Sequence, residues 1–252
     1  MYGYAYRALA RSLFSPPGAF SVLALLFLFL LVLRMRPRRF YFVRHGETRL
    51  NAQGIRQGEG GGLSERGRGQ ADRAGAYLAH FPITLILASP FERTKETAEL
   101  INAHLVVPVR YSRLLAERRN PSEIIGKRGD DPQVARIIDA IDKGYHGDEY
   151  RYGDEENFVD LKKRARRCLG YLAREGTLET CVVTHSIFLK MLIAYLLYRE
   201  ELHAADYVKL SFFNASDNAA ITVCEWHPWK AWNARRGWEV ITYNEQPPEL
   251  PA

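Results

Sequence analysis

The sequence predicts a three-layer α/β/α sandwich with a mostly parallel central sheet, and three observations support this fold class. Short apolar runs alternate along the chain with amphipathic stretches of helical period. The runs are apolar on both faces, as strands buried between two helical layers require. The 252 residues, 47% of them hydrophobic and 25% charged, can bury a full core, and this composition excludes disordered, collagen-like and coiled-coil proteins.

The strands are predicted from short apolar runs. Three runs indicate buried strands at residues 40–43, 83–88 and 181–184. Val106, Val107 and Val109 indicate a further short strand, and residues 218–226 and 238–243 have the character of late strands. We therefore expect five or six strands in one sheet.

Four helices are predicted between these strands. Ser64 is a candidate N-cap for the first, and the second follows Pro90. In the third, apolar residues from Phe158 to Leu172 recur at alternating spacings of three and four residues, the period of an amphipathic helix. Residues 187–198 are apolar nearly all round, so the fourth helix is expected to be buried.

Charge and cysteine content narrow the class of protein. The net charge of +6 comes from residues 1–39, which contain six arginines and no acidic residue, whereas the rest of the chain is balanced at 29 basic and 29 acidic residues. This distribution argues against a folded nucleic-acid-binding face. The three cysteines include no C-x-x-C pair, which fits a reducing compartment and not a structural zinc site.

The N-terminal segment, residues 1–37, is interpreted separately from a catalytic domain at residues 38–252. The fifteen residues from Ala19 to Leu33 contain one polar residue, and they reach about 22 Å as a helix, short of the roughly 30 Å hydrocarbon core. Two interpretations stay open. The segment is a tilted membrane anchor with the following arginines on the cytoplasmic side, or translation starts at Met35. Both place the catalytic part in the cytoplasm.

Polar and mostly basic residues follow three of the predicted strands. Arg44 and His45 follow the first, Ser89 and Arg93 follow the second, and His185 follows residues 181–184. Ligands of open α/β sheets bind beyond the carboxyl ends of strands, so these groups are expected to converge on one crevice. Because the planar fork of arginine matches phosphate oxygens, a phosphoryl group is the ligand that this crevice predicts.

The chain resembles the histidine phosphatase superfamily, in its phosphoglycerate-mutase-like branch, over residues 38–198. The segments that carry the resemblance are Val43-Arg44-His45-Gly46-Glu47-Thr48, Asn51, Leu63-Ser64-Glu65-Arg66-Gly67, Ser89-Pro90-Phe91-Glu92-Arg93-Thr94-Lys95-Glu96-Thr97-Ala98, Leu115-Ala116-Glu117 and Val183-Thr184-His185. The resemblance implies a phosphoglycerate-mutase-like fold and phosphoryl-transfer activity.

The resemblance also implies roles for individual residues. His45 would be the nucleophile that forms a phosphohistidine, and Glu117 would protonate the leaving oxygen and later accept a proton from water. Arg44, Arg93 and His185 would bind the phosphoryl group. Since these groups supply the charge, no metal and no cofactor is expected.

Two further positions and several alternatives accompany these roles. Asn51 is similar to a family residue that adds a phosphate contact, and Ser186 stands where the family often has glycine, where its hydroxyl could donate to phosphate. The alternative for Arg44 and Arg93 is a structural salt bridge. The alternative for Glu117 is pairing with neighbouring arginines, with Glu123 as a competing acid.

The expected function is metal-independent hydrolysis of small phosphate monoesters, with phosphoproteins as a further possible substrate. Residues 118–121 do not resemble the mutase signature, which favours a phosphatase over a phosphoglycerate-type mutase. The alternative from a different class is a membrane-tethered, non-catalytic binding protein on the same fold. No nucleic-acid partner is expected, and the sequence does not specify the substrate or the oligomeric state.

Overall fold

The computed structural model describes residues 23–28, 35–144, 147–213, 216–230 and 237–248, without the side chains of residues 211–213. The chain divides into two compact units: residues 38–226 with 238–252, and residues 1–37 with 227–237. In the second of these, residues 23–28 are helical, and the rest of the predicted segment from Ala19 to Leu33 lies outside the described residues. No helix within the described ranges has both the length and the hydropathy needed to cross a membrane.

A six-stranded sheet forms the centre of the larger unit. Its strands are β1 (Arg38–Arg44), β2 (Leu85–Ala88), β3 (Val109–Tyr111), β4 (Glu179–Thr184), β5 (Ile221–Trp226) and β6 (Trp238–Glu245). Their order across the sheet is β3-β2-β4-β1-β5-β6. The four strands from β3 to β1 are parallel, and β5 and β6 add an antiparallel edge. The predicted, mostly parallel sheet is therefore confirmed.

Seven helices connect the strands in the described part of this unit. They are α1 (Arg49–Ala52), α2 (Glu65–Leu78), α3 (Glu92–Leu105), α4 (Pro132–Gly144), α5 (Phe158–Glu175), α6 (Ser186–Tyr198) and α7 (Ala204–Phe213). Short 3-10 turns lie at Arg113–Leu115, Ser122–Ile124 and Arg199–Glu201.

Side chains that alternate along the strands build two cores, one on each face of the sheet. In β1, Phe40 and Phe42 belong to the core that includes residues of α4, α5, α6 and α7. Tyr41 and Val43 belong to the opposite core, with residues of α2 and α3. Successive side chains of a strand point to opposite faces, so the doubly apolar strands require a helical layer on each side. The three-layer α/β/α sandwich is confirmed.

The four predicted helices are present as α2, α3, α5 and α6, and Ser64 caps α2 by accepting a hydrogen bond from the backbone N–H of Gly67 at 3.0 Å. The strand predicted from Val106 begins later, at Val109. Val106 is the C-cap of α3, with a left-handed backbone (φ of 51°) and an 83% exposed side chain. It therefore ends the helix, and the strand begins three residues later. Helices α1, α4 and α7 were not predicted.

Candidate active site

Three parallel strands end side by side and place the predicted site residues together. Arg44 is in register with Thr184 at the ends of β1 and β4, so His45 and His185 follow as neighbours. The His45 N–H donates to the Thr184 carbonyl at 3.0 Å, and the centroids of the two imidazole rings lie 5.2 Å apart. Ser89 follows β2, and its hydroxyl lies 2.8 Å from His185 Nε2. The structure thus places His45, Ser89 and His185 together at one edge of the sheet.

Two glycines allow the loop after His45 to pack against the start of α2. A Cβ atom at Gly46 would overlap the backbone of Gly67, and a Cβ atom at Gly67 would overlap the backbone of Glu47. The Gly46 N–H also donates to the Thr97 hydroxyl at 3.1 Å. The His45 loop is thus held between α2 and α3, which restricts the position of its imidazole.

The imidazole of His45 is buried and held as one tautomer. Its Nδ1 lies 2.7 Å from the Gly46 carbonyl oxygen. A carbonyl only accepts hydrogen bonds, so we assign the proton to Nδ1 and the lone pair to Nε2. Burial, and then the charges of Arg93 and Arg44, hold the pKa of His45 well below its usual value. The ring is therefore neutral at physiological pH, as a nitrogen nucleophile requires.

The depressed pKa predicts how the chemistry depends on pH. Lowering the pH converts an ordinary histidine to imidazolium near its unperturbed pKa of about 6.5. Since burial and two arginines lower the pKa of His45, its neutral form persists to more acidic pH. We expect kcat/KM for phosphate esters, which reports the groups of the free enzyme, to fall through protonation of His45 only well below pH 6.5. A half-maximal loss at or above pH 6.5 would contradict this environment for His45.

His185 lies beneath the same crevice and is fully buried. Its Nε2 contacts Ser89, and its Nδ1 has no hydrogen-bond partner among the described residues. Burial lowers the pKa of His185, and the charges of His45 and Arg93 lower it further. A phosphate dianion would oppose this effect, because a nearby negative charge favours the protonated ring.

Arg44 and Arg93 bring two positive charges to the site. Arg93 donates through Nη1 to the carbonyls of Gly58 at 2.9 Å and Gly60 at 3.4 Å, and Arg44 donates through Nη1 to the Ser216 carbonyl. Burial lowers the pKa of both guanidinium groups, while the charge of Glu117 raises it.

The salt-bridge alternative for Arg44 and Arg93 finds no support in the described part of the chain. Neither arginine forms an ion pair with a carboxylate there. Backbone carbonyls orient both side chains without neutralising them. Two such cations beside one imidazole form an anion site.

Glu117 is held by backbone N–H groups, and in the described part of the chain it forms no ion pair with the guanidinium groups of the arginines near it in sequence. Its Oε1 accepts from the N–H groups of Arg118 and Phe188, both at 2.9 Å, and its Oε2 accepts from Ile187 N–H at 3.2 Å. Two of these donors belong to the first turn of α6, whose N–H groups have no partner within the helix. The competing acid, Glu123, bonds instead to the side chain of Tyr152.

One cavity of about 550 Å³ collects most of the predicted residues. Its lining includes Arg44, His45, Asn51, Arg93, Glu117 and Ser186. Thr48 Oγ1 donates to Asn51 Oδ1 at 2.8 Å, which presents the amide nitrogen of Asn51 as the donor for a ligand. Within the described ranges, no group of three or more His, Cys, Asp or Glu side chains is arranged to hold a metal ion.

Several residues of this cavity were not predicted from the sequence, among them Arg56, Gln57, Asn120 and Arg128. They lie on loops, outside the strand ends from which the site was inferred. Of these four residues, only Asn120 lies in a segment that the sequence singled out, residues 118–121, which differ from the mutase signature.

Residues 40–239 match the sequence model of the histidine phosphatase superfamily, branch 1. The chain belongs to this family. An adenosylcobalamin/alpha-ribazole phosphatase of Salmonella typhi is 26% identical over 179 residues, which cover 63% of this chain and 79% of that protein. The uncharacterized phosphatase PhoE of Bacillus subtilis is 43% identical over 68 residues, 27% of this chain and 35% of PhoE. The chain thus spans about a third of the length of PhoE.

The fold of this chain is also found in solved structures. A putative alpha-ribazole-5'-P phosphatase from Escherichia coli superposes with a TM-score of 0.69 at 21% identity, covering 85% of this chain and 99% of that one. The match to the sequence model confirms the family expected from the sequence, and the superposition confirms the expected fold.

Proposed function

We propose that the chain hydrolyses phosphate monoesters through a phosphohistidine intermediate on His45, without a metal. The observation that carries this proposal is the neutral, buried imidazole of His45, whose Nε2 bears the lone pair in a cavity that Arg44, Arg93 and Glu117 also line. Nucleophile, charge stabilisation and an acid–base group are the components of a two-step transfer.

In the first step, Nε2 of His45 attacks phosphorus and the bond from phosphorus to the ester oxygen breaks. Protonated Glu117 donates its proton to the departing alkoxide, so the alcohol leaves neutral. Arg44, Arg93 and His185 bind the three equatorial oxygens, whose charge they stabilise as the transition state develops. Asn51 and Ser186 add neutral donors from the cavity wall.

In the second step, Glu117 accepts a proton from a water molecule that attacks the phosphohistidine. The bond from nitrogen to phosphorus breaks, inorganic phosphate leaves and His45 returns to its neutral form. The phosphate dianion near His185 favours a protonated ring there, which can then donate to the anion. Protons and charge balance over the cycle.

Hydrolysis is favoured over a mutase reaction by the segment after Glu117. Residues 118–121 do not resemble the mutase signature. They make local contacts instead: the Arg118 backbone N–H donates to Glu117, and Arg118 Nη2 donates to Asn120 Oδ1 at 3.3 Å. The cavity is also large enough for water beside a bound phosphoryl group.

The distinguishing experiment incubates the full chain with 3-phosphoglycerate and, separately, 4-nitrophenyl phosphate in excess EDTA. We expect release of inorganic phosphate from the aryl ester and no conversion of 3-phosphoglycerate to 2-phosphoglycerate. Phosphorus NMR detects both reactions. Interconversion of the phosphoglycerates without phosphate release would identify a mutase. Binding of phosphate esters with no turnover of any would favour the non-catalytic alternative.

A further inference from the structure

A second cavity of about 530 Å³ adjoins the proposed catalytic cavity. The two share Arg56, Asn120 and Ile187 in their linings. We call the second one the side cavity. Its other lining residues have no role in the proposed chemical steps.

The wall that the two cavities share lies next to the proposed proton donor, Glu117, which itself lines the catalytic cavity and not the side cavity. Ile187 lines both cavities, and its backbone N–H donates to Glu117 Oε2 at 3.2 Å. The oxygen that Glu117 protonates belongs to the leaving group of the ester. Because the two cavities share wall residues beside Glu117, a leaving group longer than the catalytic cavity can extend into the side cavity when the phosphoryl group faces His45.

The charged groups of the side cavity are mostly cationic. Arg56, Arg118 and Lys190 line it with a single carboxylate, Asp142. Burial raises the pKa of Asp142 and lowers that of Lys190, whose ammonium also responds to the charges of Arg44 and Glu117. Lys190 is thus electrostatically coupled to the proposed catalytic groups, and the side cavity carries an excess of positive charge.

The rest of the side-cavity wall is largely apolar. Ile138 and Ile141 come from α4, Ile187 from α6 and Val208 from α7. A wall with isoleucines from two helices and three nearby cations complements an amphiphilic ligand: an apolar body that excludes water and an anionic group that pairs with the cations. A neutral polar leaving group, such as a sugar ring, would match neither feature.

We propose that the side cavity binds the leaving group of the substrate, and that the substrate is a phosphate monoester of an alcohol whose apolar chain ends in a second anionic group. Arg56 and Lys190 determine this specificity by pairing with the distal anion. The inference rests on the proposed phosphatase function. A carboxylate and a second phosphate share the required chemistry, and the substrates below distinguish them.

The test compares three esters with the full chain: hexyl phosphate, the same ester with a terminal carboxylate, and the same ester with a terminal second phosphate. We expect kcat/KM to be at least about tenfold higher for one or both anionic esters, since charge-assisted hydrogen bonds in a partly buried site contribute that much. The expected gain lies mainly in KM, because the distal pairing is the same before and during phosphoryl transfer.

Two variants assign the preference to the side cavity. Lys190→Met and Arg56→Gln are each expected to bring the ratio of anionic to neutral kcat/KM toward one. Lys163→Met is the matched control. Lys163 is exposed on α5, and its replacement changes the net charge by the same amount as Lys190→Met. This control should keep the wild-type ratio.

The outcomes separate the two proposals. Equal kcat/KM for the neutral and anionic esters, with turnover of all three, would overturn the side-cavity inference and leave the phosphatase function standing. A preference that persists in both variants would also overturn it. No turnover of these esters or of 4-nitrophenyl phosphate would overturn the phosphatase function, and the inference with it.

Discussion

Replacing His45 with alanine is expected to lower kcat for 4-nitrophenyl phosphate by on the order of 10⁴-fold. The substitution removes Nε2, the atom to which phosphorus would transfer, while Arg44, Arg93 and His185 remain to bind phosphate. KM should therefore change far less than kcat. The measurement is steady-state hydrolysis in excess EDTA, with wild type and variant purified side by side.

A matched histidine variant controls for purification and for contaminating phosphatases. His80 is exposed and bonds through Nδ1 to the Tyr77 carbonyl at 3.1 Å, away from both cavities. His80→Ala should retain wild-type kcat. Thermal unfolding of both variants tests whether the buried His45 position tolerates the change. A folded His45→Ala protein with more than a tenth of wild-type activity would contradict the role of His45.

Replacing Glu117 with glutamine is expected to affect substrates according to their leaving groups. An alkyl ester needs a proton on its departing oxygen, so its phosphoryl transfer to His45 should slow by about 10²- to 10³-fold. A nitrophenolate leaves without a proton, so its transfer step should be little affected. The second step still needs Glu117 as a base, and the variant should therefore show a burst of nitrophenol followed by slow turnover.

Glu123→Gln provides the matched control for this experiment. Glu123 lies six residues further along and bonds to the side chain of Tyr152, outside the lining of the catalytic cavity. We expect wild-type kinetics with both kinds of ester. Equal slowing of alkyl and aryl esters by Glu117→Gln, with no burst, would indicate that Glu117 only supports the fold of the site through its three backbone contacts.

The layers of the fold and the strand-end residues were predictable for a common physical reason. Strands that are apolar on both faces must lie between helices, and parallel strands end at one edge, so Arg44, His45 and His185 had to come together. Helix α4 was missed although Val134, Ile137 and Ile141 have helical spacing. A stripe of three buried apolar residues is too short for periodicity alone to assign a helix.

Other parts of the site depend on contacts that no local pattern encodes. Two of the three backbone donors for Glu117 come from Ile187 and Phe188, some seventy residues away in sequence. Arg56 and Lys190 both line the side cavity, because the loop that carries Arg56 packs beside α6, which carries Lys190. Spacing identifies which residue types are present, whereas these tertiary contacts decide which of them face the substrate.

Chemical trapping of the phosphoenzyme tests the central claim most directly. The full chain is mixed with a radiolabelled phosphate ester, quenched in base within the first turnover and digested for peptide mapping. We predict a base-stable, acid-labile label on Nε2 of His45, and its absence in His45→Ala. Phosphate release without a labelled intermediate, or label on His185 or another residue, would contradict the account.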